Sequence, residues 1–284
     1  MAELSAVQAM VLGLVEGITE FLPISSTGHL ILASALMGLD TPGAKQAIDS
    51  FNIVIQGGAI LAVAGLYWPR VLQMVRGLLG RDNAGTSLLI NLIVAFIPAA
   101  VLGLLLDKFI EARLFSTWPV LFALAGGGVY MIWLDLRRRG RLTLSPYASK
   151  GIDDLTPRDA LVIGLLQCVA MWPGTSRSMM TITGGTLRGL SPKAAAEFSF
   201  LLGLPTLGAA CLYKLAKHHD EIKALGSTNV VLGIVVAAVT AAVAIKWLVG
   251  FLSRHGMIAF GIYRIVLAGV LCGLVLAGVV KIVK

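Results

Sequence analysis

Glu16-Gly-Ile-Thr-Glu20-Phe-Leu-Pro-Ile-Ser-Ser26-Thr-Gly-His29 places carboxylates, hydroxyls and an imidazole in a segment whose flanks are apolar enough for a bilayer. Trp172-Pro-Gly-Thr-Ser-Arg177-Ser-Met-Met-Thr181 does the same with a guanidinium and hydroxyls. A charge at membrane depth costs roughly 3 kcal/mol or more, so residues of this kind persist there because they work. Both stretches also break the chain. Residues 6–38 and 160–188 each hold two short apolar pieces split by a Pro/Gly/Ser/Thr knot, at Pro23 to Gly28 and Pro173 to Ser178. Neither piece spans a membrane, so each region reads as a re-entrant helix-loop-helix that leaves by the face it entered, its loop buried in protein.

Around these hairpins lie six runs long enough to span, at about 48–68, 88–107, 118–135, 198–216, 228–250 and 257–281. With 57% hydrophobic residues, 13% charged and a mean hydropathy of +0.87, the chain exceeds what a soluble core needs. Strand-period alternation is absent, which leaves an all-α polytopic membrane protein, 1–284 forming one integral domain. The halves resemble each other. Gly13-Leu-Val-Glu16 followed by Phe21-Leu-Pro23 lines up with Gly164-Leu-Leu-Gln167 followed by Trp172-Pro173, and Phe51 to Ala62 parallels Phe198 to Ala209. Each half is then one hairpin plus three spans: repeat one over 1–136, a basic connection over 137–158 and repeat two over 159–284. An odd number of spans inverts the second half. Inverted repeats with broken helices bring their loops together near the midplane, which would join the two polar stretches into one site.

The net charge of +8 sits in short connections, so it reads as a topology signal rather than a nucleic-acid surface. Thirteen Lys and Arg, among them Arg70, Arg76, Arg81, Arg137 to Arg139 and Arg141, fall on one side and eight on the other. The richer side should be cytoplasmic, placing both termini and the mouth of the first hairpin outside. Cys168, Cys211 and Cys272 lie in apolar runs without metal-ligand spacing and are expected to be buried, inert thiols. The N-terminus lacks a basic n-region and reads as mature structure.

Glu16 and Glu20 are four apart, so on a helix their Cβ atoms lie ~6 Å apart on one face, able to clasp a divalent cation or divide general-base work. Pro23 ends that helix. Ser25, Ser26 and Thr27 then stand at the N-terminus of the next, where free N–H groups and the dipole favour an anion, plain N-capping being the bland alternative. His29 follows Ser26 by three and is placed to reach its hydroxyl as base to nucleophile. Arg177 supplies a permanent cation with a fork suited to phosphate oxygens, flanked by Thr175, Ser176 and Ser178, with Thr181 one turn on and Gly174 allowing close backbone approach. Arg177 could instead merely pair with Glu16 or Glu20. Such a cradle fits phosphoryl transfer, where catalysis is mainly positioning and charge stabilisation. Arg264, about two turns from the cytoplasmic end of the last span, is expected to snorkel or pair with a helix terminus. Gln56, Gln167, Asn52 and Asn91 read as interhelical hydrogen-bonders, and the stretch from His218 to Lys223 as a solvated connection.

At these residues the chain resembles the undecaprenyl pyrophosphate phosphatases, the bacitracin-resistance family of bacterial inner-membrane enzymes. That family carries Glu/Gln-x-x-x-Glu, Ser-Ser-Thr-Gly-His and Pro-Gly-x-Ser-Arg-Ser-x-x-Thr, which stand here as Glu16 to Glu20, Ser25 to His29 and Pro173 to Thr181. The likeness covers essentially the whole chain. It implies cleavage of undecaprenyl pyrophosphate to undecaprenyl phosphate and phosphate, recycling the lipid carrier of cell-wall synthesis. It also implies dependence on Mg²⁺ or Ca²⁺, a site facing outward from the plasma membrane, and bacitracin resistance on overproduction, bacitracin competing for the lipid rather than binding the protein. By the family's pattern Ser26 is the nucleophile with Ser25 as substitute, His29 the base, Ser176, Arg177, Ser178 and Thr181 hold the pyrophosphate, and Glu16 and Glu20 hold the metal. Attack by a metal-activated water is the open alternative. Lipid phosphatases of the phosphatidic acid phosphatase type pair their Arg with a distal His and Asp motif that this chain does not carry after Arg177. A secondary transporter or flippase for polyprenyl phosphate or a small anion is the rival of another class, since inverted repeats and a midplane anion site suit carriers too. Small-xxx-small patterns in the Gly- and Ala-rich spans allow a homodimer.

Overall fold

A computed structural model describes residues 4–39, 45–114, 116–140, 150–217 and 225–279. Every regular element among the described residues is a helix, with one isolated bridge between Lys150 and Leu190 in place of any strand. Helices long and apolar enough to cross a membrane cover Ala47–Leu66, Asn83–Leu106, Thr117–Arg137, Pro192–Lys217, Ser227–His255 and Ile258–Leu276, matching the six expected runs in place and number. They belong to α3 (Lys45–Leu66), α5 (Asn83–Leu114), α6 (Thr117–Gly140), α9 (Pro192–Lys217), α10 (Ser227–His255) and α11 (Ile258–Leu276). One helix was not anticipated: α4 (Trp68–Leu78) follows the first span directly. Its Arg70 bonds Glu197 at 2.8 Å and Asp153 at 3.0 Å, pinning it to α9 and to the short turn Ile152–Asp154.

The two polar stretches form hairpins of short helices. In the first, α1 (Ala6–Thr19) starts at a Ser5/Gln8 capping box and α2 (Ser26–Leu36) follows the Pro23 break. In the second, α7 (Pro157–Val169) starts at a Thr156/Asp159 capping box with Pro157 in its first turn, and α8 (Arg177–Leu187) follows the Pro173 break. Asp159 also takes a 2.7 Å bond from Arg188 beyond the end of α8, closing the hairpin. Ser25 and Ser176, the residues before α2 and α8, have φ of 72° and 77° and are the only described non-glycine residues at positive φ. Strain of this kind costs about 1–3 kcal/mol and concentrates at functional sites.

Packing relates the halves reciprocally. Gly13 of α1 lies against the backbone of Gly233 in α10, while its counterpart Gly164 of α7 lies against the backbone of Ala95 in α5. A side chain at either glycine would force those helices apart. Cys211 is buried as expected, but Cys168 and Cys272 are only half-buried; all three are free. The stretch from His218 to Lys223, Arg141 and the rest of 141–149, and Lys281 and Lys284 lie outside the described residues.

Candidate active site

Two loops meet, residues 20–25 after α1 and 170–176 after α7, and the expected joining of the two stretches takes place there. Ser178 Oγ donates to the Leu22 carbonyl at 2.8 Å, tying the start of α8 to the first loop. Glu20, 7% exposed, stands between the halves. Its Oε2 accepts from Ser26 Oγ at 2.8 Å and its Oε1 meets Arg177 Nη2 at 3.1 Å. Arg177 donates further to the Ser199 carbonyl at 2.8 Å and lies over the Phe21 ring, 5.3 Å from its centroid. Gly203 leaves room for the guanidinium, because a Cβ there would come within 3.1 Å of Nη2.

Glu16, one turn before Glu20, is fully buried and neither of its oxygens has a hydrogen-bond partner. Leaving a carboxylate so is expensive. Glu20 and Gln56 flank it and Arg177 acts on it from farther off. Orphaned hard oxygens beside a second carboxylate are the donor chemistry of a Mg²⁺ or Ca²⁺ site. Among the described residues no group of three or more His, Cys, Asp or Glu completes such a site, so further ligands would be water and phosphate oxygens.

A cavity of about 140 Å³ opens here, lined by Glu20, Ser25, Ser26, Thr27, Gln56, Gly174, Ser176 and Arg177, with Ala170, Pro173 and Leu207 as its apolar wall. At ~30 Å³ per water it has the room of about five waters, which suits a phosphate head and not a long apolar chain. The first turns of α2 and α8 both border it, so two helix N-termini present their dipoles to one small space.

Other predicted residues are placed differently. His29 does not bond Ser26: its Nδ1 lies 2.7 Å from the Ser25 carbonyl and its Nε2 lies 2.7 Å from the Tyr263 hydroxyl. A carbonyl only accepts, so Nδ1 carries a proton and Nε2 is left to Tyr263. The i to i+4 reach back to a backbone oxygen outcompetes the hydroxyl. Ser178 and Thr181 are fully buried and committed to protein, Thr181 Oγ1 bonding the Arg177 carbonyl at 2.9 Å and Ser199 Oγ at 2.6 Å. Neither lines the cavity, nor does Thr175.

Arg264 does not snorkel. It is fully buried and donates to the carbonyls of Ala123, Leu124, Pro23, Gly174 and Thr175 at 2.8–3.3 Å. It is enclosed by α6 and the two loops, whose carbonyls supply acceptors in water's place. Sequence reasoning also passed over Ser199 and Tyr263. Ser199 was detectable as the residue opposite Asn52 in the internal alignment, and Tyr263 as the neighbour of the arginine inside the last span.

Residues 9–270 match the model of the family described as Bacitracin resistance protein BacA. The chain is 47% identical over 276 residues to undecaprenyl-diphosphatase 2 of Rhodospirillum rubrum, covering 97% of each chain. It is 45% identical to undecaprenyl-diphosphatase 1 of Chromobacterium violaceum, covering 96% of this chain and 97% of that one. With the undecaprenyl-diphosphatase of Sorangium cellulosum the identity is 46%, over 91% of this chain and 83% of the relative.

Proposed function

The chain belongs to the Bacitracin resistance protein BacA family, and from that premise we propose how its two hairpins carry out the reaction. The protein is a membrane-embedded phosphatase that hydrolyses undecaprenyl diphosphate to undecaprenyl phosphate and inorganic phosphate. The carrier reading gives way, because relatives similar over nearly their whole length are named for hydrolysis.

In our reading the terminal phosphoryl occupies the cavity and Arg177 turns from Glu20 to its oxygens, since a bidentate phosphate contact is worth more than one 3.1 Å bond to a carboxylate. Ser26 Oγ attacks phosphorus while its proton passes to Glu20 Oε2, the atom it already bonds. The Oγ–P bond forms as the bridging P–O bond breaks, and undecaprenyl phosphate leaves with the bonding pair. Water then attacks the phosphorus of the phosphoserine and the Oγ–P bond breaks, Glu20 returning its proton to Oγ while the water's oxygen and protons leave on the released phosphate. Glu16 and Glu20, beside Gln56, would hold Mg²⁺ or Ca²⁺, which when bound neutralises charge on the diphosphate. His29 in this scheme orients the Ser25–Ser26 peptide. The observation that carries the proposal is Glu20 bridging Ser26 of one half and Arg177 of the other.

The hairpins in this proposal are re-entrant and the halves inverted, with termini and site mouth facing outward from the bacterial inner membrane. Support comes from two 11-residue helices that follow strained serines and from the reciprocal packing of α1 on α10 and α7 on α5. Acid quenching during turnover of radiolabelled undecaprenyl diphosphate tests the covalent step. Label on Ser26 is expected; no phosphoenzyme, with Ser26→Ala turning over at near-normal rate, would mean direct attack by water.

A further inference from the structure

We propose that Arg264 is a positioning residue: by bonding both loops at once it sets the register in which Ser26 of one half meets Arg177 of the other. The inference rests on the diphosphatase reading above. A guanidinium has five N–H groups, and here five bonds use them. Nε donates to Leu124 at 3.1 Å, Nη1 to Pro23 at 3.3 Å and Thr175 at 2.9 Å, and Nη2 to Ala123 at 3.1 Å and Gly174 at 2.8 Å. Two acceptors lie on α6, one on the first loop and two on the second. Pro23 precedes Ser26 by three residues, and Thr175 precedes Arg177 by two. One rigid planar group thus fixes the backbone just before each reacting side chain, with α6 as the common anchor.

Energetics favour positioning over plain stabilisation. Among the described residues Arg264 forms no ion pair, so a permanent cation inside a candidate span is held by peptide dipoles alone. A packed hydrocarbon side chain is commonly as stabilising as a buried charge. What it cannot do is hold carbonyls of three separate segments in one plane. The surroundings are shaped for this group: a Cβ on Gly127 would collide with Nη2 of Arg264, and Tyr263, the preceding residue of α11, bonds His29.

The test compares purified Arg264→Met, Arg264→Lys and Gly127→Ala with wild type, scoring folded protein by gel filtration and thermal midpoint, then kcat and KM on undecaprenyl diphosphate. Per folded molecule, Arg264→Met should lose about a hundredfold in kcat, the scale of a misplacement near 1 Å, and Arg264→Lys should retain more. A side chain that only stabilises leaves other residues' contributions intact. If Arg264 sets register, Arg177→Ala costs at least about tenfold less in the Arg264→Met background than in wild type, because the partners no longer act as a unit. Folded Arg264→Met with kcat within about threefold of wild type, or an undiminished cost of Arg177→Ala, overturns the inference. Should Arg264→Met not accumulate, Gly127→Ala decides on the same two criteria, since it keeps the arginine and displaces only its guanidinium. Failure of all three to fold assigns a structural role and overturns it equally. Absence of phosphate release by wild type would refute the diphosphatase reading itself.

Discussion

Glu20 divides its two oxygens between a hydroxyl and a guanidinium from different halves of the chain, and most of the proposed chemistry follows from that division. Glu20→Gln keeps the shape but cannot take the Ser26 proton, so kcat should fall about 10²–10⁴-fold, the usual reach of a general base. His29→Gln should cost clearly less, because the imidazole serves the Ser25 carbonyl and Tyr263. Steady-state rates of the two variants decide between them; a larger loss at His29 would restore it as the base. The residue types at the cavity were legible from sequence, since hydroxyls, carboxylates and an arginine in apolar surroundings announce themselves. Their pairing was not. Spacing places His29 within reach of Ser26 but says nothing of the Ser25 carbonyl that competes for it, and Arg264's partners are backbone oxygens that no side-chain pattern reveals.

The two hairpins hold the residues of the proposed site, and their geometry depends on a few backbone positions. Gly174 has φ +95° and a Cβ there would meet the Val120 carbonyl at 2.5 Å. Gly174→Ala should therefore destabilise by more than about 1 kcal/mol and abolish most activity, read as a lower thermal midpoint together with lower phosphate release. Asp159 tests the base of the second hairpin. Burial alone would raise its carboxyl, but the bonds from Arg188 and Thr156 outweigh burial and hold it below the ordinary aspartate value. The folded value is depressed, so its stabilisation is present above the unfolded value and lost as pH falls through the folded one. Asp159→Asn should lower stability by about 1 kcal/mol at neutral pH, discounted because Arg188 is 43% exposed. That deficit, followed by thermal melts, should shrink as pH drops below the ordinary aspartate range. Span placement was readable because twenty apolar residues leave few options. Helix α4 was not, being short, amphipathic and set directly against the end of α3 without a polar break.

At the scale of the molecule, six candidate spans accompany a cavity to which both halves contribute, one bringing Ser26 and Glu20 and the other Ser176 and Arg177. The proposed repeat rests on the Gly13/Gly164 and Phe51/Phe198 correspondences, and in that alignment Gln167 stands where the first half has Glu16. That asymmetry confines the paired carboxylates to one hairpin, so EDTA should abolish turnover and added Mg²⁺ or Ca²⁺ restore it, measured as phosphate release. The most direct measurement is phosphate release from undecaprenyl diphosphate by wild type, Ser26→Ala and Arg177→Ala, each purified and shown to be folded. Residues acting as one unit each take most of the activity with them, so both single variants should fall about a thousandfold or more below wild type. Either variant folded and within about tenfold of wild type would contradict a single site built from both halves.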